Sequence, residues 1–111
     1  MKSNLPQSVI VAGIQYKVAI KTNDQMPAED EGHTLLGECG YFDNYIHVNE
    51  IACDERKEQV FIHELTHAIF FEAGFEEQDE DMINRVGKVL YQVLKDNPHL
   101  LTLKEDATCA E

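Results

Sequence analysis

The sequence predicts an α+β domain in which a small, mostly antiparallel sheet of three or four strands packs against two long helices. Three observations lead there. The first half of the chain alternates apolar and polar residues with a period of two, as half-buried strands do. From Asp54 onward the apolar residues recur every three or four positions, as on amphipathic helices. The length of 111 residues, with 43% hydrophobic and 27% charged residues, suits one soluble domain with a single modest core.

Residues 9–11 form a short β-branched run that Ala12 and Gly13 interrupt. From Ile14 the alternation is regular: Ile14, Tyr16, Val18 and Ile20 fall on one face, and Gln15, Lys17, Ala19 and Lys21 on the other. The two runs read as an antiparallel hairpin with its apolar face toward the core. Residues 22–33 are polar and acidic, contain Pro27 and Gly32, and read as a loop. Residues 35–41 carry Gly37 and Gly40 and predict a short, irregular strand. After an Asp43-Asn44 turn, residues 45–49 alternate again, with Ile46 and Val48 inward and Tyr45, His47 and Asn49 outward. This second hairpin closes the sheet, and its last strand is a candidate edge.

Asp54 is the expected N-cap of a first helix that ends at Gly74, the expected C′ residue. A second helix is expected from about Asp79 or Glu80 to about Asp96, where Asn97-Pro98 stops it. Its apolar stripe is Met82, Ile83, Val86, Val89, Leu90, Val93 and Leu94. The tail from residue 104 is polar and expected to be loose.

The charge narrows the function classes. A net charge of −12 repels phosphates and argues against nucleic-acid binding, while it favours solubility and, in a general way, cations. No apolar run approaches the roughly 20 residues of a membrane span, and residues 1–6 lack the pattern of a secretory signal, so a cytoplasmic protein is expected. Cys39, Cys53 and Cys109 show no C-x-x-C spacing and are expected to be reduced.

The chemistry concentrates in His63-Glu64-Leu65-Thr66-His67, an H-E-x-x-H sequence. Two histidines four apart on a helix project from one face, so both imidazoles reach one metal ion. Glu64, beside the first ligand, is placed to take a proton from an activated water. Val60, Phe61, Ile62, Leu65, Ala68, Ile69, Phe70 and Phe71 surround the motif, which predicts a helix buried on nearly all sides. Two imidazoles and a carboxylate buried there without partners would cost several kcal/mol, and a bound cation removes most of that cost. A catalytic zinc takes a third protein ligand, for which the chain offers Glu76, Glu77, Asp79, Glu80 and Asp81. Glu80 shares a helical stripe with Ile83 and Gly87, and Gly87 marks a close helix approach for which Ala68 is the matching small residue. Asp79 is its rival, nearer the middle of the apolar stripe. The donor set favours zinc and also suits iron or nickel.

Tyr45 and His47, on the outward face of the last strand, are candidates to donate a hydrogen bond to an oxyanion. That strand is also a candidate to pair with an extended substrate. His33 and His99 are expected to be incidental, Thr66 to serve helix packing, and Phe70, Phe71 and Phe75 to be core residues.

The stretch from His63 to Ala68, the apolar run through Phe71, then Glu72-Ala73-Gly74 and a carboxylate opening a second helix resemble the ImmA/IrrE-like metallopeptidases, the small phage and prophage members above all. The resemblance covers roughly residues 35–97. Glu80-Asp81-Met82-Ile83-Asn84-Arg85-Val86-Gly87 looks like that family's E-x-x-A-N-x-F-A signature, with Ile83, Val86 and Gly87 departing from it. It implies a pared-down zincin fold and a zinc-dependent protease in which Glu80 supplies the third ligand. It also implies a regulatory role in a phage or mobile element, with a protein or peptide substrate such as a helix-turn-helix repressor. The competing expectation is a metal-stabilised regulatory domain that binds a partner protein without catalysis; another is a hydrolase of a different amide bond.

Overall fold

A computed structural model describes residues 5–27 and 34–102; the expectations on residues 1–4, His33, Cys109 and the tail from residue 104 lie outside them. The elements follow in the order β1 (Ser8–Val11), β2 (Ile14–Lys21), β3 (Gly37–Gly40), β4 (Tyr45–Asn49), α1 (Asp54–Glu72) and α2 (Glu80–Asp96), with a short 3-10 turn at Asn23–Gln25. The chain is an α+β protein. No helix among the described residues is long and apolar enough to cross a membrane.

Both expected hairpins form. β1 and β2 pair antiparallel across Ala12 and Gly13, whose φ values of 51° and 85° give the two-residue turn that matches the twist of the strands. β3 and β4 also pair antiparallel. The hairpins then join through a parallel pairing of β2 with β4, Val18 opposite Ile46 and Ile20 opposite Val48, so the sheet is mixed, in the order β1-β2-β4-β3. This corrects the placement of the last strand. β4 is interior with both edges bonded, and the strand with a free edge next to it is β3.

The core lies between the sheet and α1, where Tyr16, Ile46, Val48, Phe61, Ile62 and Ala68 are buried. Of the face expected inward on β2, Tyr16 is buried, while Ile14 and Ile20 at the strand ends are exposed. Asn49, expected outward, is fully buried: its amide donates to Asn23 Oδ1 (2.8 Å) and the Leu35 carbonyl (2.9 Å), and its own oxygen accepts from Ile51 N–H.

α1 forms the middle layer, with the sheet on one side and α2 on the other. Cys53, not Asp54, is the N-cap residue. At the other end Gly74 N–H bonds the Phe71 carbonyl and Phe75 N–H bonds the Phe70 carbonyl, a Schellman closure backed by the Phe70–Phe75 ring contact. The helix is less enclosed than its composition suggests, since Ile69 and Phe71 are exposed; Phe75, beyond its end, is exposed too, so Phe71 and Phe75 are not the core residues expected. α2 runs back along α1. Gly87 packs against the His63 backbone and Thr66, where an added Cβ would lie 3.1 Å from Thr66 Oγ1. Further along, Tyr91 and Lys95 both donate to Glu58 Oε1. The close approach of the helices therefore falls at Thr66; Ala68, expected there, belongs to the main core. Being outermost, α2 buries only Ile83, Gly87 and Tyr91, and most of its expected core stripe, including Met82, Val86, Val89 and Val93, is exposed.

Candidate metal centre

His63 and His67 stand one turn apart on α1 and point toward the first turn of α2. Asp79 caps that helix, its side chain accepting from Asp81 N–H at 3.0 Å. This leaves Glu80, the next residue, to face the histidines. His63 Nε2 lies 3.1 Å from Glu80 Oε2, and His67 Nε2 lies 3.5 Å from Glu80 Oε1. One ligand atom from each of the three falls within 4.8 Å of the others. The donor set fits a divalent cation: two imidazole nitrogens and a carboxylate converge on one point from two elements. Asp79 is occupied by its cap, Asp81 pairs with Arg85 at 3.0 Å, and Glu76 and Glu77 are exposed on the connecting loop.

The two histidines differ in their surroundings. His67 Nδ1 is 2.6 Å from Gln78 Oε1, and an amide oxygen only accepts, so Nδ1–H is the donor in this pair and Nε2 is the nitrogen that faces Glu80. Gln78 is held in turn by donating through Nε2 to the Tyr41 hydroxyl, whose ring stacks on Phe71 with centroids 4.1 Å apart. Burial, and then the neighbouring His67, hold His63 below the ordinary histidine range, against the pull of Glu80. His63 is thereby kept in the neutral form that binds metal.

Glu64 points to the sheet side of the cluster. It is buried, accepts no hydrogen bond among the described residues, and burial with the nearby Glu80 and Glu38 carboxylates pushes its pKa up to about 8. Its position depends on Gly37 of β3. A Cβ there would lie 2.4 Å from Val60 Cγ1 and 3.1 Å from Glu64 Oε2, so only glycine lets the strand come this close. His63, Glu64, His67 and Glu80 all open onto a groove of about 730 Å³ between α1, α2 and residues 34–37.

Tyr45 and His47 lie elsewhere. On β4 they alternate with Ile46 and Val48, which face α1, so both point from the opposite side of the sheet. There His47 Nδ1 meets Glu38 Oε2 at 3.3 Å, and its ring stacks on Tyr45 at 4.1 Å between centroids. The expectation that they donate to an oxyanion at the metal centre is corrected on this ground. His99 is exposed in the segment after α2. Cys39 and Cys53 are free thiols, and burial pushes the Cys39 thiol up to about 12.

Sequence reasoning missed Gln78 and Tyr41. Neither belongs to a motif, and their meeting depends on the loop path from α1 to α2 over the end of β3. Gly37 did carry a signal, since a glycine inside a strand pattern marks a close approach. Against protein-family models, curated proteins and solved structures, the chain has no match.

Proposed function

We propose that the protein is a zinc-dependent metallopeptidase acting in the cytoplasm, of the kind suggested by the resemblance to ImmA/IrrE-like enzymes. A regulatory role in a phage or mobile element, with helix-turn-helix repressors as substrates, is part of the same reading. The observation that carries it is the meeting of His63 Nε2, His67 Nε2 and the Glu80 carboxylate beside a buried, unpaired Glu64.

His63, His67 and Glu80 would hold the zinc, which when bound would polarise a carbonyl and acidify water. Gln78 fixes the His67 tautomer. Glu64, buried beside the cluster, would take the proton of the attacking water and pass it to the leaving amine. The substrate backbone is supported by β3. Asn49 N–H bonds the Leu36 carbonyl at 2.8 Å, and the register alternates from there, so Gly37 and Cys39 turn their N–H and C=O groups to the free edge. An extended peptide added at that edge lies over the groove.

The test is a comparison of wild type with Glu64→Gln. The variant should retain zinc and fold while peptide hydrolysis falls by about 10²–10⁴-fold, the usual contribution of a general base. A metal-stabilised regulator is favoured instead by the exposed apolar face of α2. If Glu64→Gln binds zinc and keeps the full biological effect, that second reading replaces the first.

A further inference from the structure

We propose that the end of the groove away from Glu80 is a carboxylate subsite. In it Arg56 and Lys88 receive an acidic group of a peptide about three residues C-terminal to the bond held at the metal centre. This rests on the peptidase reading above and names the substrate class that the groove prefers.

The argument starts from where the two cations stand. Arg56 precedes His63 by seven residues, two turns, so it lies on the same stripe of α1 about 10 Å along the axis. Lys88 follows Gly87, which touches the His63 backbone, and enters the groove from the α2 side. Both line the groove, both are exposed to it, and neither makes an ion pair or hydrogen bond among the described residues. Other cations in the helices are engaged: Lys57 bonds the Ala52 carbonyl, Arg85 pairs with Asp81, and Lys95 with Glu58.

The rest of the lining points the same way. Glu64 and Glu80 are the acidic residues that line the groove, and both belong to the metal centre; beyond them come the amides of Gln59, Asn84 and Gln92. In a chain of net charge −12, a wall section with two unpaired cations and no carboxylate is a local reversal of sign. Arg56 offers a planar fork that matches a carboxylate, and Lys88 a mobile point charge. Flanking amides complete the hydrogen bonding of an anion without competing for the cations.

Direction and spacing follow from β3. Gly37 lies beside Val60 and Glu64, and Tyr41, just past the strand, lies beside Phe71, so β3 runs the same way as α1 and residues 34–36 lead toward Arg56. A peptide pairing antiparallel with the β3 edge, the commoner mode, therefore carries its C-terminal side toward Arg56. At about 3.3 Å per extended residue, the span from His63 to Arg56 is about three residues. The carboxylate comes from an Asp or Glu side chain at that position or from the terminus of a short peptide.

The experiment uses zinc-loaded full-length protein and fluorescence-quenched peptide libraries in which each position in turn is acidic, neutral or basic. Each library is made with a free and with an amidated C-terminus. Wild type should cut acidic members at least tenfold faster than neutral ones, with the acid about three positions after the cut. Arg56→Glu/Lys88→Glu should invert the preference toward basic members, its melting temperature showing that it folds. Loss of the preference on amidation alone assigns the carboxylate to the peptide terminus; its persistence assigns it to a side chain. Binding of the same peptides to zinc-loaded Glu64→Gln, by fluorescence polarisation, gives a readout independent of turnover. Cleavage with no dependence on charge overturns the subsite and leaves the peptidase. Acid-selective binding without cleavage by wild type keeps the subsite and overturns the peptidase. Neither cleavage nor acid-selective binding overturns both.

Discussion

At His67 the nitrogen that does not face Glu80 is tied to Gln78, and at Glu64 the carboxylate leans on a strand that only glycine lets approach. Each contact yields a prediction. Gln78→Ala removes the acceptor that fixes the tautomer but no ligand, so zinc affinity should fall about 10–100-fold with little change in metal-free stability. Competition with a chelator of known affinity measures this, and an unchanged affinity would mean Gln78 is a bystander. Gly37→Ala forces β3 off α1 or Val60 and Glu64 out of place. It should cost about 1–3 kcal/mol in chemical denaturation, the usual penalty for overpacking. The meeting of the two histidines was legible in the sequence because a helix makes spacing into geometry, and the placement of Glu80 beside them was reachable from its stripe. Its rival Asp79 is engaged in a capping bond that spacing alone does not reveal. His47 and Tyr45 illustrate the opposite case. Ile46 and Val48 were assigned inward, and the helix covers the inward face, so their alternating neighbours had to lie on the far side from the metal centre.

Among the elements, α2 is the one whose pattern and burial part company. Its stripe of apolar residues is plain in the sequence, yet amphipathicity states only that a face is apolar and does not state what covers it. Ile83 is fully buried against α1, whereas Val89, in the same stripe, is 61% exposed. Ile83→Ala should therefore cost about 2–5 kcal/mol, and Val89→Lys should stay within about 0.5 kcal/mol. Equal losses at the two sites, by denaturant titration, would show that α2 is rotated from this placement. The far ends of the helices are joined at Glu58, whose carboxyl the Lys95 ammonium, aided by the Tyr91 hydroxyl, holds below its ordinary range despite partial burial. The unfolded chain then binds the proton more readily. The contribution of the pair is complete above about pH 4.3, the ordinary glutamate value, and is lost as pH falls through the lower folded value. Lys95→Met should lower stability modestly at neutral pH, as exposed pairs do, and the gap from wild type should close on acidification. A gap that widens in acid has the wrong sign for this linkage.

For the molecule as a whole, the layer order of sheet, α1 and α2 explains why a small core suffices to build an open site. α1 is held from the sheet side by Tyr16, Ile46 and Val48, and its other side is free to present His63 and His67 to a helix that also leaves a groove. The mixed sheet was the part least visible in the sequence. Hairpin pairing is local and carries turn signals, but the β2–β4 contact joins segments separated by a long acidic loop, and nothing in either strand's alternation selects parallel over antiparallel. That pairing moves β4 inside and leaves β3 as the edge beside Glu64. A metal ion held as proposed by residues of α1 and α2 would tie these two layers together, and a ligand that binds only the folded state stabilises it by mass action. The most direct test is calorimetric titration of the metal-free protein with zinc, beside His63→Ala. Wild type should take up one zinc per chain and melt at a higher temperature for it, while the variant loses most of that affinity. A wild-type protein that binds no zinc, or a His63→Ala protein that binds it equally well, would contradict a centre built from His63, His67 and Glu80.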